Sequence, residues 1–196
     1  MKPMIIVLEG ADGAGKSTLS QHLSNALKKM GFKCRTASFP GKTHGSIGEL
    51  VYKIHHDHKR EGIIKISSTS LQALHIAAHI DFLERIKKDP RSILILDRSW
   101  WSTLVYGEIS RANPKVIKAL VDAEKILWGE YRSVVVLVTG VTEGANSKAT
   151  KRLVTKYNYL ARQEQNKYPI IRHLNTIPVE VSAQNLLDAL LPHIQS

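Results

Sequence analysis

The sequence predicts an α/β fold, a central parallel sheet of about five strands with helices on both faces. Short apolar runs alternate with amphipathic stretches along the chain, the pattern of successive β–α units. Two of the runs, Ser92–Asp97 and Ser133–Val138, are almost wholly apolar, as strands covered on both faces must be. The segment Gly10-Ala11-Asp12-Gly13-Ala14-Gly15-Lys16-Ser17-Thr18 fits G-x-x-x-x-G-K-[ST] and stands between a strand and a helix, the setting in which that pattern cradles phosphate.

Met4–Glu9 reads as the first buried strand. Leu19, Leu23, Ala26, Leu27 and Met30 recur at helical spacing, so a helix runs from about Gly15 to Met30 and stops at Gly31. Lys33–Ser38 is the second strand, and Phe39-Pro40-Gly41 breaks the chain after it. Ile47, Leu50, Val51 and Ile54 give Ile47–His58 a helical face. A longer helix starts at Ser70, with Leu71, Leu74, Ala78 and Phe82 on one face and Ile76, Ile80 and Leu83 widening it; Pro90 ends it. Ser92–Asp97 is a central strand. Asn113-Pro114 pairs a capping side chain with a first-turn proline and opens a helix through Ile117, Leu120, Val121, Glu124 and Leu127. Ser133–Val138 is a further buried strand, Val179–Val181 a short last strand, and Gln184–Ile194 a closing helix with Leu187, Leu190 and Leu191 inward.

The chemistry concentrates at the carboxyl ends of these strands, where parallel sheets bind ligands. Gly10 and Gly15 allow backbone angles closed to other residues, so successive N–H groups can turn toward an anion. The helix that follows adds its positive dipole end. Lys16 can reach the outer phosphates of a nucleotide, and Ser17 can place a hydroxyl on Mg2+. Asp97, ending an apolar strand, can help hold the metal, and Arg98 can grip a phosphate with two N–H groups; a plain charge pair at a strand end is the other reading.

The 196 residues suffice for one domain with a full core, 1–196, and the composition, 43% hydrophobic and 23% charged, is globular. No apolar run approaches the ~20 residues that span a bilayer, so no membrane association is expected. Met-Lys-Pro-Met leads directly into the first strand and leaves no room for a signal peptide. Cys34 is the only cysteine, which excludes an internal disulfide and points to a reducing, cytoplasmic setting. The net charge of +11 either attracts phosphate-bearing partners, nucleotides or nucleic acid, or simply solubilises the surface. It is concentrated between Lys148 and Arg172, where seven basic residues (Lys148, Lys151, Arg152, Lys156, Arg162, Lys167 and Arg172) accompany one acid, Glu164. His75 and His79, one helical turn apart, lack a clear third metal ligand, and His55-His56-Asp57-His58 reads as a polar helix end.

Leu8–Thr18, Phe39-Pro40-Gly41 with Gly45, Ile47 and Gly48, the helix Leu74–Leu83, and Ile95-Leu96-Asp97-Arg98 with Ser99, Ser102 and Tyr106-Gly107 together resemble the thymidylate kinase family, in order and spacing. The resemblance implies a three-layer P-loop kinase fold with a mobile lid, here roughly 141–156. It implies transfer of the γ-phosphoryl group of ATP to a deoxynucleoside monophosphate, dTMP or a relative, with Mg2+. The ATP contacts it implies are Gly10, Ala11, Asp12, Gly13, Ala14, Gly15, Lys16, Ser17 and Thr18, joined by Lys148, Lys151 and Arg152 from the lid. Ser17 and Asp97 would hold the metal. Phe39, Pro40, His79, Asp97, Arg98 and Tyr106 would receive the acceptor. Asp12, Lys16, Arg98 and Arg152 would carry the catalysis, with Asp12 facing the acceptor sugar and the reacting phosphates. For each lid residue, a plain solvated helix face is the competing reading. A homodimer also follows from the resemblance alone.

This sequence departs from the family in two places. Ser38 stands where relatives carry an arginine, with Arg35 or Lys42 as candidate replacements; Ile80 stands where the long helix usually carries another, with His79 as a partial replacement. Trp100 and Trp101 either stack on a base or pack under the next helix. Two other readings stay open. One is a kinase of the same fold that phosphorylates a nucleoside, a modified base or a polynucleotide hydroxyl. The other is a nucleotide-gated module without turnover.

Overall fold

A computed structural model describes residues 2–86, 88–140 and 148–195. Five strands and seven helices occur among them: β1 (Met4–Glu9), α1 (Lys16–Lys29), β2 (Lys33–Ser38), α2 (Ile47–Asp57), α3 (Ser68–Arg85), β3 (Ser92–Asp97), α4 (Trp100–Ile109), α5 (Pro114–Trp128), β4 (Arg132–Gly140), α6 (Lys148–Glu164), β5 (Ile170–Asn175) and α7 (Val179–Ile194). Of the lid stretch expected at 141–156, residues 141–147 lie outside the described residues and the remainder is the start of α6.

The chain divides into two compact units. The first comprises Met1–Ala37, Lys88–Arg98 and Tyr131–Ser196. It holds a sheet of order β2-β3-β1-β4-β5, in which β1 pairs in parallel with β3 and β4, and β4 with β5. Met4, Ile6 and Leu8 of β1 point to one face and meet Ile93, Ile95, Val134, Val136 and Val138 of the neighbouring strands. That apolar face packs with Leu19, Leu23 and Leu27 of α1 and Ala183, Leu186, Leu187 and Leu190 of α7. The alternate residues Ile5, Val7, Leu94 and Leu96 are buried as well, so these strands are apolar without interruption because neither side faces water.

The second unit comprises Ser38–Lys87 and Ser99–Glu130 and holds α2 to α5. Ser46 caps α2 by accepting from the Glu49 N–H at 3.1 Å, and Ser67 caps α3 by accepting from the Ser70 N–H at 3.0 Å. Asn113 Oδ1 accepts from Lys115 and Val116 and starts α5 at Pro114, as its sequence signal requires. The buried stripe of α3 is Gln72, Ile76, Ala78, His79 and Leu83; of the expected face Ala78 is buried but Leu71, Leu74 and Phe82 are only half-buried, so the stripe is rotated toward the expected flanking residues Ile76 and Leu83. A polar contact accounts for the rotation. His79 Nδ1 lies 3.1 Å and 3.2 Å from the two carboxylate oxygens of Glu124 on α5, and Trp128 Nε1 donates to the same carboxylate at 2.8 Å. Glu124 is fully buried, and a buried carboxylate must be satisfied. Glu124→Ala strands the Trp128 N–H and His79 and is expected to cost about 3 kcal/mol of stability. Chemical denaturation would measure this, and an unchanged midpoint would contradict it.

The structure corrects one strand. Val179–Val181 is the first turn of α7, entered from Pro178, and the last strand is Ile170–Asn175. That strand lies at the sheet edge against β4 alone, so it tolerates Arg172, His173 and Asn175 and lacks the apolar run that marks a central strand. The segment after Asp97, unassigned from sequence, is the helix α4 with Ser99 as its cap. No helix among the described residues is long and apolar enough to cross a membrane.

Candidate active site

Leu8 pairs with Asp97 across β1 and β3, and Glu9 with Leu137 across β1 and β4. The register therefore delivers the loop after β1 and the acid ending β3 side by side. Gly10 (φ 147°) passes so close to β4 that a Cβ there would lie 2.3 Å from the Val138 carbonyl oxygen. Gly10→Ala collides with backbone that cannot yield and forces a backbone angle unfavourable to alanine. We expect a loss of about 2–3 kcal/mol in stability, read as a lowered melting temperature. A wild-type melting curve would contradict this geometry. Gly15 (φ 78°) sits at the start of α1, where no side chain caps the first N–H groups. Those donors and the helix dipole face an incoming anion.

Lys16 is 5% exposed and folds back over the loop, donating from Nζ to the carbonyl oxygens of Gly10 at 3.1 Å and Ala11 at 2.8 Å. Burial pushes its pKa down, and the Arg98 charge pushes the same way; Asp97, Glu9 and Asp12 oppose them. The lysine is thus a desolvated cation held beside three carboxylates, ready to exchange its carbonyl partners for phosphate oxygens. Ser17 Oγ donates to Asp97 Oδ2 at 2.5 Å.

Arg98 has a left-handed backbone (φ 79°), rare for a residue with a side chain. Its N–H donates to the Leu8 carbonyl at 3.0 Å. The guanidinium pairs with Asp12 through Nη2, and Nη1 contacts the Gly10 carbonyl at 3.5 Å and donates to the Tyr157 hydroxyl at 3.3 Å. Backbone strain of this kind, of order 1 kcal/mol, persists where surrounding contacts hold it and clusters at functional sites.

The first unit therefore gathers Asp12, Lys16, Ser17, Asp97 and Arg98. Lys148, Lys151 and Arg152 are exposed on the first turns of α6. Tyr157, on the same helix but buried, was not foreseen; the basic block around it masks the signal, which is one aromatic at the buried helical period. Glu9 is fully buried at the β1 end.

Among the acceptor candidates, Phe39 is buried and stacks on His79 with ring centres 4.1 Å apart. The Phe39-Pro40 peptide is cis. His79 commits Nδ1 to Glu124, which leaves only Nε2 for a ligand. Tyr106 is half-buried on α4. Trp101 is fully buried and Trp100 nearly so, with Lys125 Nζ 3.9 Å from the Trp100 ring centre. Of the two roles considered for these indoles, packing is the one their burial supports. Ser38 and Arg35 are exposed, Ile80 is half-buried, and Lys42 Nζ stands 4.3 Å from the Tyr52 ring centre.

The residues fit a hard divalent cation. Asp97 Oδ1 is buried with no hydrogen-bond partner, a costly state for a carboxylate oxygen unless a ligand completes it. Ser17 supplies a second oxygen beside it. No group of three or more metal-binding side chains occurs among the described residues. One carboxylate and one hydroxyl suit Mg2+, which takes its remaining ligands from phosphates and water.

A profile of the thymidylate kinase family matches residues 8–123, more than half of the chain. A protein of Methanosphaera stadtmanae named "Probable thymidylate kinase" is 34% identical over 123 residues, 58% of this chain and 58% of that protein, so the matched stretch spans less than two thirds of it. A "Probable thymidylate kinase" of Thermococcus onnurineus is 25% identical over 206 residues, 97% of this chain and 98% of the relative. The crystal structure of thymidylate kinase from Ehrlichia chaffeensis shares the fold with a TM-score of 0.75 at 19% identity, covering 97% of this chain and 100% of that one. With that match covering the phosphate loop and the acid–arginine pair, the chain belongs to the thymidylate kinase family.

Proposed function

We propose that the protein is an ATP-dependent kinase that transfers the γ-phosphoryl group to dTMP, the whole chain acting as one kinase domain. The observation that carries this is the convergence of Lys16, Ser17, Asp97 and Arg98 on the Gly10–Thr18 loop, in a chain of this family. An oxygen of the acceptor phosphate attacks the γ-phosphorus, and the bond to the β–γ bridging oxygen breaks, releasing ADP. The protein's part is alignment and charge neutralisation. Loop N–H groups and Lys16 hold the outer phosphates of ATP. Arg98 leaves Asp12 for the acceptor phosphate, which it can grip with two N–H groups. Asp12 stays near the reacting oxygens. Mg2+, held by Ser17 and Asp97 when bound, neutralises charge on the phosphates. Phe39, Pro40, His79 and Tyr106 are the proposed acceptor contacts of the helical unit, and Lys148, Lys151 and Arg152 the proposed supplementary cations on the ATP side. Homodimer formation and a cytoplasmic location are expectations that accompany this reading; contact with nucleic acid is a separate expectation, from the net charge of +11.

Membership of the family favours dTMP over a nucleoside or polynucleotide acceptor. Labelled ATP offered with each deoxynucleoside monophosphate, nucleosides and oligonucleotides tests the proposal. Preferred formation of dTDP is expected, and label appearing only in a nucleoside or oligonucleotide would overturn it.

A further inference from the structure

A chain of polar contacts ties the phosphate loop to the end of β5 and to α7. Asn175, the last residue of β5, donates from Nδ2 to the Ala14 carbonyl oxygen at 3.0 Å. Its Oδ1 accepts from Ser182 Oγ at 2.8 Å. Ser182 is fully buried on α7; its Oγ also accepts from the Thr176 N–H at 3.3 Å and lies 2.8 Å from His173 Nε2. A hydroxyl has one proton to give. Ser182 gives it to Asn175, so the hydrogen in the contact with His173 belongs to Nε2. Burial pushes the His173 pKa down, which favours the neutral ring. The contacts have one consistent direction, and it sets the amide with its oxygen toward Ser182 and its nitrogen toward the loop.

That orientation has a consequence for the backbone. In a trans peptide the C=O and the following N–H point in opposite directions. Holding the Ala14 carbonyl on Asn175 therefore turns the Gly15 N–H the other way, toward the hollow in which phosphate oxygens would sit. The same amide occupies the space beside Gly15, where a Cβ would lie 2.3 Å from Asn175 Nδ2. Gly140, which pairs with Asn175 in the β4–β5 register, is equally confined, since a Cβ there would come within 3.1 Å of the Asn175 carbonyl oxygen and 3.5 Å of that of Ala14.

We propose that Asn175 is a positioning residue for ATP, locked through Ser182 by His173, and that it holds the Ala14–Gly15 peptide so that the Gly15 N–H faces the phosphates. This rests on the ATP reading above. It differs from a generic packing role because it concerns the direction of one peptide plane.

Binding of a fluorescent ATP analogue, read without turnover, tests it on the wild type, Asn175→Ala, Ser182→Ala and the double variant, each with its melting temperature. Asn175→Ala is expected to weaken analogue binding about tenfold, the worth of one well-placed hydrogen bond, with the KM for the acceptor unchanged. Ser182→Ala frees the amide to turn and weakens binding in the same sense. In the Asn175→Ala background the Ser182 change should have no further effect on binding, a non-additivity that two independent packing defects would not produce. Wild-type affinity in Asn175→Ala, or additive losses in the double variant, would overturn the inference while leaving the ATP reading intact. Should Asn175→Ala fail to fold, Ser182→Ala alone decides, and unchanged affinity there overturns the proposal. A wild-type protein that does not bind the analogue would sink both readings.

Discussion

Lys16→Met is expected to lower phosphoryl transfer by at least about 10²–10³-fold, the range seen when a preorganised donor to a developing charge is removed. The fold should survive. Lys16 donates to the Gly10 and Ala11 carbonyls of its own loop, and its environment disfavours the cation, since burial and Arg98 together push its pKa down. A lysine whose native pKa lies below its unfolded value is protonated more readily in the unfolded chain, so its charge destabilises the native state at neutral pH. Methionine keeps the length and removes the charge. The variant should melt at or above the wild-type temperature while losing activity. Calorimetry and a coupled ADP assay, run on the same sample, check both halves. A variant that melted well below wild type would mean that Lys16 is structural.

Asp97→Asn is expected to lower kcat by at least about 10²-fold and to raise the Mg2+ concentration needed for half-maximal rate. Asn is nearly isosteric, and the Ser17 hydroxyl can still donate to its remaining oxygen. What disappears is the negative charge, together with the buried oxygen that has no hydrogen-bond partner. The amide NH2 that takes the place of that oxygen is equally without a partner, so the readout is the metal dependence and not the melting temperature. A titration of rate against Mg2+ is the measurement. An unchanged Mg2+ dependence would remove Asp97 from the metal site.

The ATP side of the site was legible in the sequence because its physics is local. A strand, a glycine-bearing turn and a helix start follow one another within Met4–Lys29, and the apolar strand β3 ends at Asp97. The sheet places the two together through the Leu8–Asp97 register. The acceptor side was harder. His79 lies beside, and not on, the α3 face that periodicity assigned to Leu71, Leu74, Ala78 and Phe82, and the buried partner it meets is Glu124, 45 positions away. A buried acid is indistinguishable in sequence from one on a solvated helix face. β5 was missed for a related reason. As an edge strand it mixes Arg172 and His173 with its aliphatics, and those charges merged with the basic block before it, while Val179 and Val181 drew the strand assignment onto the first turn of α7. Without β5, Asn175 had no reason to stand out. Tyr157 escaped because a partner that ties it to the site, Arg98, is 59 positions away, just past the end of β3.

The most direct test of the account is a high-resolution structure of the protein with a non-hydrolysable ATP analogue and Mg2+. The outer phosphates are expected within the Gly10–Thr18 loop, with Lys16 Nζ moved from the Gly10 and Ala11 carbonyls onto phosphate oxygens and Ser17 and Asp97 on the metal side. An analogue bound elsewhere, with Lys16 still capping its own loop, would contradict it.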